Sequence, residues 1–266
     1  MPVNQCEGIS VYIQKEISTR EHTSPYDAAR EWVRRVHREG IVLDLGCSDY
    51  VTSRILHEEG IPVVGMDLDM SALRQAQRNT DSPLVVQCDA QNLPLNYENS
   101  AVSTVLALDV LEHFPRNEAI EILSSIRRLP NIQNLIVSMP IISPWSMRTM
   151  IEGGRAIRNM KWPETGLFDR THKIFTDQRG HKKMFQKSGF RVVQEESSNW
   201  FENITGDWEN VIQTVPRFRR PHAKLFGKFV WDILPKMVHP TNKSKRRSVT
   251  DRIIAYQGVY LLTPEI

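Results

Sequence analysis

Five short apolar runs, with helix-patterned segments interleaved among them, constrain this chain more than any other feature. Residues 41–45, 62–66, 84–87, 102–106 and 135–139 are rich in Val, Ile and Leu. Runs this short and this continuously apolar suit strands buried on both faces of a parallel sheet better than half-exposed strands. Helical spacing fills the gaps: 52–59 and 71–79 follow the first two runs, and 117–128 precedes the fifth. In that last segment Ala119, Ile122, Leu123 and Ile126 form an i, i+3, i+4, i+7 stripe. Glu118 and Glu121 lie early in it, and Arg127 and Arg128 complement its carboxyl end before Pro130. A leading helix is expected over 25–39, with Tyr26, Ala29, Val33 and Val36 on one face and Gly40 as its stop. Strand–helix alternation of this kind implies an α/β, doubly wound parallel sheet.

From residue 140 to residue 170 the pattern lapses into a stretch with Pro, Gly and Trp. That is too long for a simple connection in a compact domain, and a lid or binding loop is expected. Thr176 can cap a helix that runs through Lys187 and ends at Gly189. Residues 190–195 read as a sixth strand and 258–263 as a seventh, which leaves 200–257 as an insertion between two neighbouring strands. A chain of 266 residues with 40% hydrophobic and 24% charged composition can bury one full core, so 1–266 is read as a single domain. Cys6, Cys47 and Cys88 are odd in number and widely spaced, which excludes a disulfide framework and a zinc-knuckle spacing. The first twenty residues lack the basic-then-apolar order of a signal peptide, and no run approaches the roughly 18 apolar residues of a spanning helix. A cytoplasmic protein is expected, with attachment to a membrane surface left open.

The strand ends carry the chemistry. Residues 41–56, IVLDLGCSDYVTSRIL, take a buried strand through Asp44 and Gly46 into a tight turn and then a helix. Ligands of open α/β sheets bind at the carboxyl ends of strands, and glycine there allows close backbone approach. Asp67 ends the second strand about 20 residues past that turn, where an acid can accept from both hydroxyls of a ribose or else act as a helix cap. Asp69 or Ser71 is the better-placed cap. Asp89 follows the third strand, within DAQNLPL.

These three signals in this order resemble class I S-adenosylmethionine-dependent methyltransferases of the type 11-like small-molecule group. In that family the first motif is D-x-G-x-G-x-G and the third is commonly D-A-x-x-L-P-F. The resemblance implies a Rossmann-like sheet of seven strands, mostly parallel with the last antiparallel, plus lid and cap insertions. It also makes 25–139 the cofactor-binding half. S-adenosylmethionine is the implied cofactor, held by Asp44, Gly46, Cys47 and Ser48 in the turn, by Asp67 on the ribose and Leu68 on the adenine. Asp89 would take the adenine amino group, with the Ala90 amide at the ring, and Asp109 would line the pocket beside the methyl. Ser48 and Tyr50 stand where the family has glycines, and a side chain at Tyr50 is expected to narrow the turn. If that closed the pocket, the chain would be a methyltransferase-fold binding scaffold without catalysis.

Asp109, Glu112 and His113 close the fourth strand, and His172 lies in DRTHKIFTD. The resemblance favours His172, with His113, as base or acceptor-positioning group, because imidazole titrates near working pH. A histidine simply hydrogen-bonded to its loop is the alternative. Some relatives, among them ubiquinone-pathway O-methyltransferases and small-RNA 2′-O-methyltransferases, hold a divalent cation with an acid-x-x-Glu-His segment and a further histidine. That gives a second reading, a metal-assisted RNA ribose 2′-O-methyltransferase, although the primary reading assigns no metal ligand. Finally, 217–247 carries many Lys and Arg and a single acid, Asp232, interleaved with Phe218, Phe226, Phe229 and Trp231. Such a stretch can meet a peripheral membrane surface, an anionic or lipid-linked acceptor or, less favoured, nucleic acid; it can equally be a cap helix packed on its own domain. With Trp145, Trp162 and Phe168 it would shape a pocket for a small-molecule acceptor, an oxygen by family analogy.

Overall fold

The computed structural model describes residues 24–142, 171–199 and 255–265. Its elements run α1 (Ser24–Val36), β1 (Ile41–Leu45), α2 (Val51–Glu58), β2 (Val63–Asp67), α3 (Met70–Asn79), β3 (Leu84–Gln87), β4 (Val102–Leu108), a single 3₁₀ turn (Leu111–His113), α4 (Arg116–Arg127), β5 (Asn134–Pro140), α5 (Gln178–Lys187), β6 (Phe190–Asn199) and β7 (Ala255–Pro264). The strands form one seven-stranded sheet in the order β3-β2-β1-β4-β5-β7-β6. β1 pairs in parallel with both β2 and β4, while β7 is antiparallel to β5 and to β6. The sheet order reverses between β1 and β4, so the carboxyl ends of these two strands flank the crevice where an open sheet accepts a ligand.

Period-two alternation along β1 sends side chains to both faces. Leu43 and Leu45 join the core under α4 and α5, with Ala119, Ile122, Leu123, Ile126 and Phe185. Val42 joins the opposite core, under α1, α2 and α3, with Trp32, Val33, Leu56 and Leu73. β4 and β5 are buried along their whole length, as their uninterrupted apolar sequences require.

Sequence and structure differ at three boundaries. α5 is capped by Asp177, whose carboxylate accepts from the Gly180 amide at 2.9 Å, and not by Thr176. The cap of α3 is Asp69, one of the two residues expected from sequence, accepting from Ser71 N. β6 extends to Asn199 and β7 starts at Ala255, paired with each other, so the insertion spans 200–254. Backbone hydrogen bonding carries the pair through the polar run at 195–199, which apolar patterning cannot detect. The candidate lid beyond residue 142 and the stretch 217–247 lie outside the described residues. Among the described residues no helix is long and apolar enough to cross a membrane.

Candidate active site

The strand ends converge. Asp44, Gly46, Cys47, Ser48, Asp67, Leu68, Asp89, Ala90 and Asp109 all line one cavity of about 380 Å³, together with Tyr26, Thr52, Val110, His113 and Phe114. Small-molecule sites commonly have volumes of roughly 300–1,000 Å³.

The turn after β1 is pinned to the end of β2: Gly46 N and Cys47 N both donate to Met66 O, at 2.7 and 3.0 Å. Gly46, Ser48 and Tyr50 all have left-handed backbones, with φ of 72°, 51° and 65°. The conformation that favours glycine therefore persists where two of three residues have side chains. Only Gly46 must be glycine on steric grounds, because a Cβ there would lie 2.3 Å from Val110 Cγ2. The Tyr50 ring does not enter the cavity, contrary to the narrowing expected from sequence. It is fully buried in the core under α1–α3, its hydroxyl donates to Val63 O at 3.1 Å, and its edge would meet any Cβ placed on Gly65. Left-handed φ turns the side chain away from the crevice and into the core.

Asp67 has both oxygens anchored: Oδ2 accepts from Ser48 N at 2.7 Å and Oδ1 from Asp69 N at 2.8 Å. Each oxygen keeps a further lone pair for a ligand hydroxyl. Leu68, next to it, is 67% exposed at the mouth, a large apolar surface with no protein cover. Asp44 is buried and accepts from Ser53 Oγ at 2.5 Å, and Asp89 accepts from the Gln91 amide at 2.9 Å. Cys47 and Cys88 are both free thiols. Burial first, then the charges of Asp44 and Asp67, push the Cys47 thiol far up; burial and Asp89 raise Cys88. Both shifts disfavour the thiolate, the form that attacks.

At the far end, Asp109 has φ 57° and its carboxylate is bound from three elements. Oδ1 accepts from Ser138 Oγ at 2.6 Å and from Gln257 Nε2, and Oδ2 accepts from Tyr26 Oη at 2.7 Å. Beyond it stands a cluster of Glu112, His113 and His172, one ligand-type atom of each lying within 4.8 Å of the others. Lys173 N and Ile174 N both donate to Glu112 O, at 2.6 and 3.2 Å, which brings the distant His172 segment back to the 3₁₀ turn. The two imidazole centroids are 5.0 Å apart, edge to face, and Thr171 Oγ1 is 3.0 Å from His113 Nδ1. The Glu112 side chain is buried, and neither carboxyl oxygen has a hydrogen-bond partner among the described residues. Burial, and secondarily the Asp109 charge, raise its pKa well above the usual carboxyl range. His172 does not line the cavity; His113 does.

Sequence reasoning missed Tyr26, Ser138 and Gln257. The helical stripe accounts for Tyr26 only as packing, and no motif marks Ser138 or Gln257, because each acts through a hydrogen bond across the sheet.

Residues 43–131 match the family described as a methyltransferase domain. Residues 43–131 are a methyltransferase domain. Solved structures share the fold over nearly the whole chain. The magnesium protoporphyrin IX methyltransferase of Synechocystis PCC 6803, with bound SAH, is 16% identical, with 96% of this chain and 88% of that one covered and a TM-score of 0.56. A SAM-dependent methyltransferase from Archaeoglobus fulgidus is 17% identical, with 95% and 99% covered and a TM-score of 0.53. No curated protein matches the chain. The cavity fits S-adenosylmethionine, the cofactor that the family resemblance implies: a glycine that a Cβ would close, a doubly anchored acid for a diol, and an exposed leucine beside it.

Proposed function

We propose that the chain transfers a methyl group to an oxygen of a small-molecule acceptor, with Asp67 and Leu68 holding the nucleoside and His172 and His113 serving the acceptor. S-adenosylmethionine supplies a methyl group already activated on a sulfonium, so the protein has to orient two reactants rather than form a covalent intermediate. Asp44, Gly46, Cys47 and Ser48 line the turn, Asp89 and Ala90 line the cavity where they would flank the base, and Asp109 also lines it. The observation that carries the acceptor side is the histidine pair. His113 forms part of the cavity wall at the Asp109 end, and His172 packs against it from a segment remote in sequence. An imidazole there can take the proton that an acceptor hydroxyl loses as its oxygen attacks the methyl.

The end of β5 at Pro140, the end of β6 at Asn199 and the start of β7 at Ala255 lie together, through the pairs Pro140↔Gln257 and Asn199↔Ala255. Both late segments therefore depart from the rim shared with Asp109. The cationic and aromatic composition of 217–247 supports an anionic or lipid-linked acceptor, met in solution or at a membrane surface. Isotopically labelled cofactor incubated with cell extract, followed by mass spectrometry, identifies the product. His172→Ala is expected to lower kcat about 10²-fold or more, the usual contribution of a general base, with S-adenosylhomocysteine affinity kept. Unchanged turnover by His172→Ala removes that role.

The clustering of Glu112, His113 and His172 favours one second reading, metal-assisted transfer to an RNA ribose hydroxyl. Asp109 is not part of that cluster, its carboxylate being engaged by Ser138, Gln257 and Tyr26. This reading requires stimulation by magnesium or manganese, and RNA binding that weakens steeply with salt. Turnover unaffected by chelator excludes it.

A further inference from the structure

Asp109 adopts a left-handed backbone that costs a non-glycine residue, and such strain persists only where the surroundings over-determine it. Here they do. The Asp109 amide donates to Ser138 O, and three neutral donors, from α1, β5 and β7, converge on its carboxylate. Two of them, Ser138 Oγ and Gln257 Nε2, fill the acceptor sites of Oδ1. Tyr26 takes one of those on Oδ2, which leaves a single direction open on the oxygen nearest the Tyr26 hydroxyl.

Asp109 and Tyr26 both line the cofactor cavity, Ser138 is fully buried and Gln257 nearly so. Among the described residues no Lys, Arg or His pairs with Asp109. A half-buried carboxylate that lines a cavity, fixed by neutral donors, with one acceptor direction left and no Lys, Arg or His partner among the described residues, is complementary to a cation in that cavity. The cofactor has two cationic centres, its sulfonium and its amino-acid ammonium.

We propose that Tyr26 and Gln257 are positioning residues that hold Asp109 against a cationic centre of the cofactor, so that grip on the cofactor's charged end depends on the first helix and the last strand together. The proposal rests on the S-adenosylmethionine reading of the cavity. Ser138 belongs to the same device, but its hydroxyl is buried within the sheet, so Tyr26→Phe is the cleaner probe: the ring stays and one hydroxyl goes.

The full-length protein and its Tyr26→Phe and Gln257→Met variants are titrated calorimetrically with three probes. S-adenosylmethionine carries both cations, S-adenosylhomocysteine only the ammonium, and 5′-methylthioadenosine neither. Each variant is expected to lose about tenfold in affinity for a cationic probe, the scale of one hydrogen bond to a charged group, while 5′-methylthioadenosine affinity stays within twofold. Loss for the first two probes assigns the ammonium, and loss for the first alone assigns the sulfonium. Equal loss for all three probes, or none for any, overturns the proposal even if the unfolding temperature of the unliganded variants moves. If the unmodified protein binds none of the probes, the cofactor reading itself falls and the proposal with it.

Discussion

Asp67 illustrates how a single side chain can be specified by its acceptor count. Both oxygens already accept backbone amides, so Asp67→Asn forces an amide NH₂ against either Ser48 N–H or Asp69 N–H. S-adenosylhomocysteine affinity is expected to fall by about 1–3 kcal/mol, the cost of a misplaced donor, read by calorimetry. Ser48→Gly keeps the left-handed turn without a side chain, and is expected to change stability by less than about 1 kcal/mol and cofactor affinity not at all. Gly46→Ala, whose Cβ would overlap Val110, is expected to abolish binding. Glu112 adds a pH dependence. Its folded pKa is raised, so above the ordinary carboxyl range the unfolded chain has released a proton that the folded chain retains, and stability falls as pH rises. Glu112→Gln removes that penalty, and its unfolding temperature should exceed that of the unmodified protein by more at pH 8 than at pH 4. An equal difference at both values means that burial does not tune this acid. The sequence displays Asp67, Glu112 and the histidines plainly, yet it cannot tell that Glu112 lacks a partner, since that depends on atoms from segments far along the chain.

Among the elements, α5 has the clearest built-in sensitivity. Its His181 is buried against Tyr260 of β7, with Nδ1 2.9 Å from the hydroxyl, and burial lowers its pKa to about 4. Asp177 acts to raise that value and Arg116 to lower it. A depressed histidine leaves the unfolded chain binding more protons below about pH 6.5, so stability is lost as pH falls from there toward 4, at up to roughly 1.4 kcal/mol per pH unit. Urea unfolding at pH 7 and pH 5 should show a larger loss for the unmodified protein than for His181→Phe. The helical stripe of α4 was readable because all its apolar residues face one core. The cap of α5 was misplaced by one residue because Thr176 and Asp177 are both competent, and only backbone geometry selects the carboxylate.

For the molecule as a whole, binding at the switch between β1 and β4 links ligand to stability. S-adenosylhomocysteine at 100 times its Kd should stabilise the fold by about 2.7 kcal/mol, visible as a thermal shift. Because the lid candidate and the 200–254 insertion leave the sheet at the cavity rim, deletion of 217–247 is expected to cut acceptor turnover while leaving S-adenosylhomocysteine affinity unchanged. Loss of cofactor affinity in the deletion would tie that stretch to the cofactor instead.

The strand–helix alternation and the positions of the three strand-end acids were legible in sequence, because apolar period and the grammar of turns are local properties of the chain; the antiparallel last strand came only from the family resemblance. The tertiary structure alone decided that the Tyr50 ring lies in the core and not in the crevice, and that Tyr26, Ser138 and Gln257 meet on Asp109. A backbone dihedral at one position and hydrogen bonds between residues up to 148 apart in sequence leave no periodic mark for a sequence reading to find.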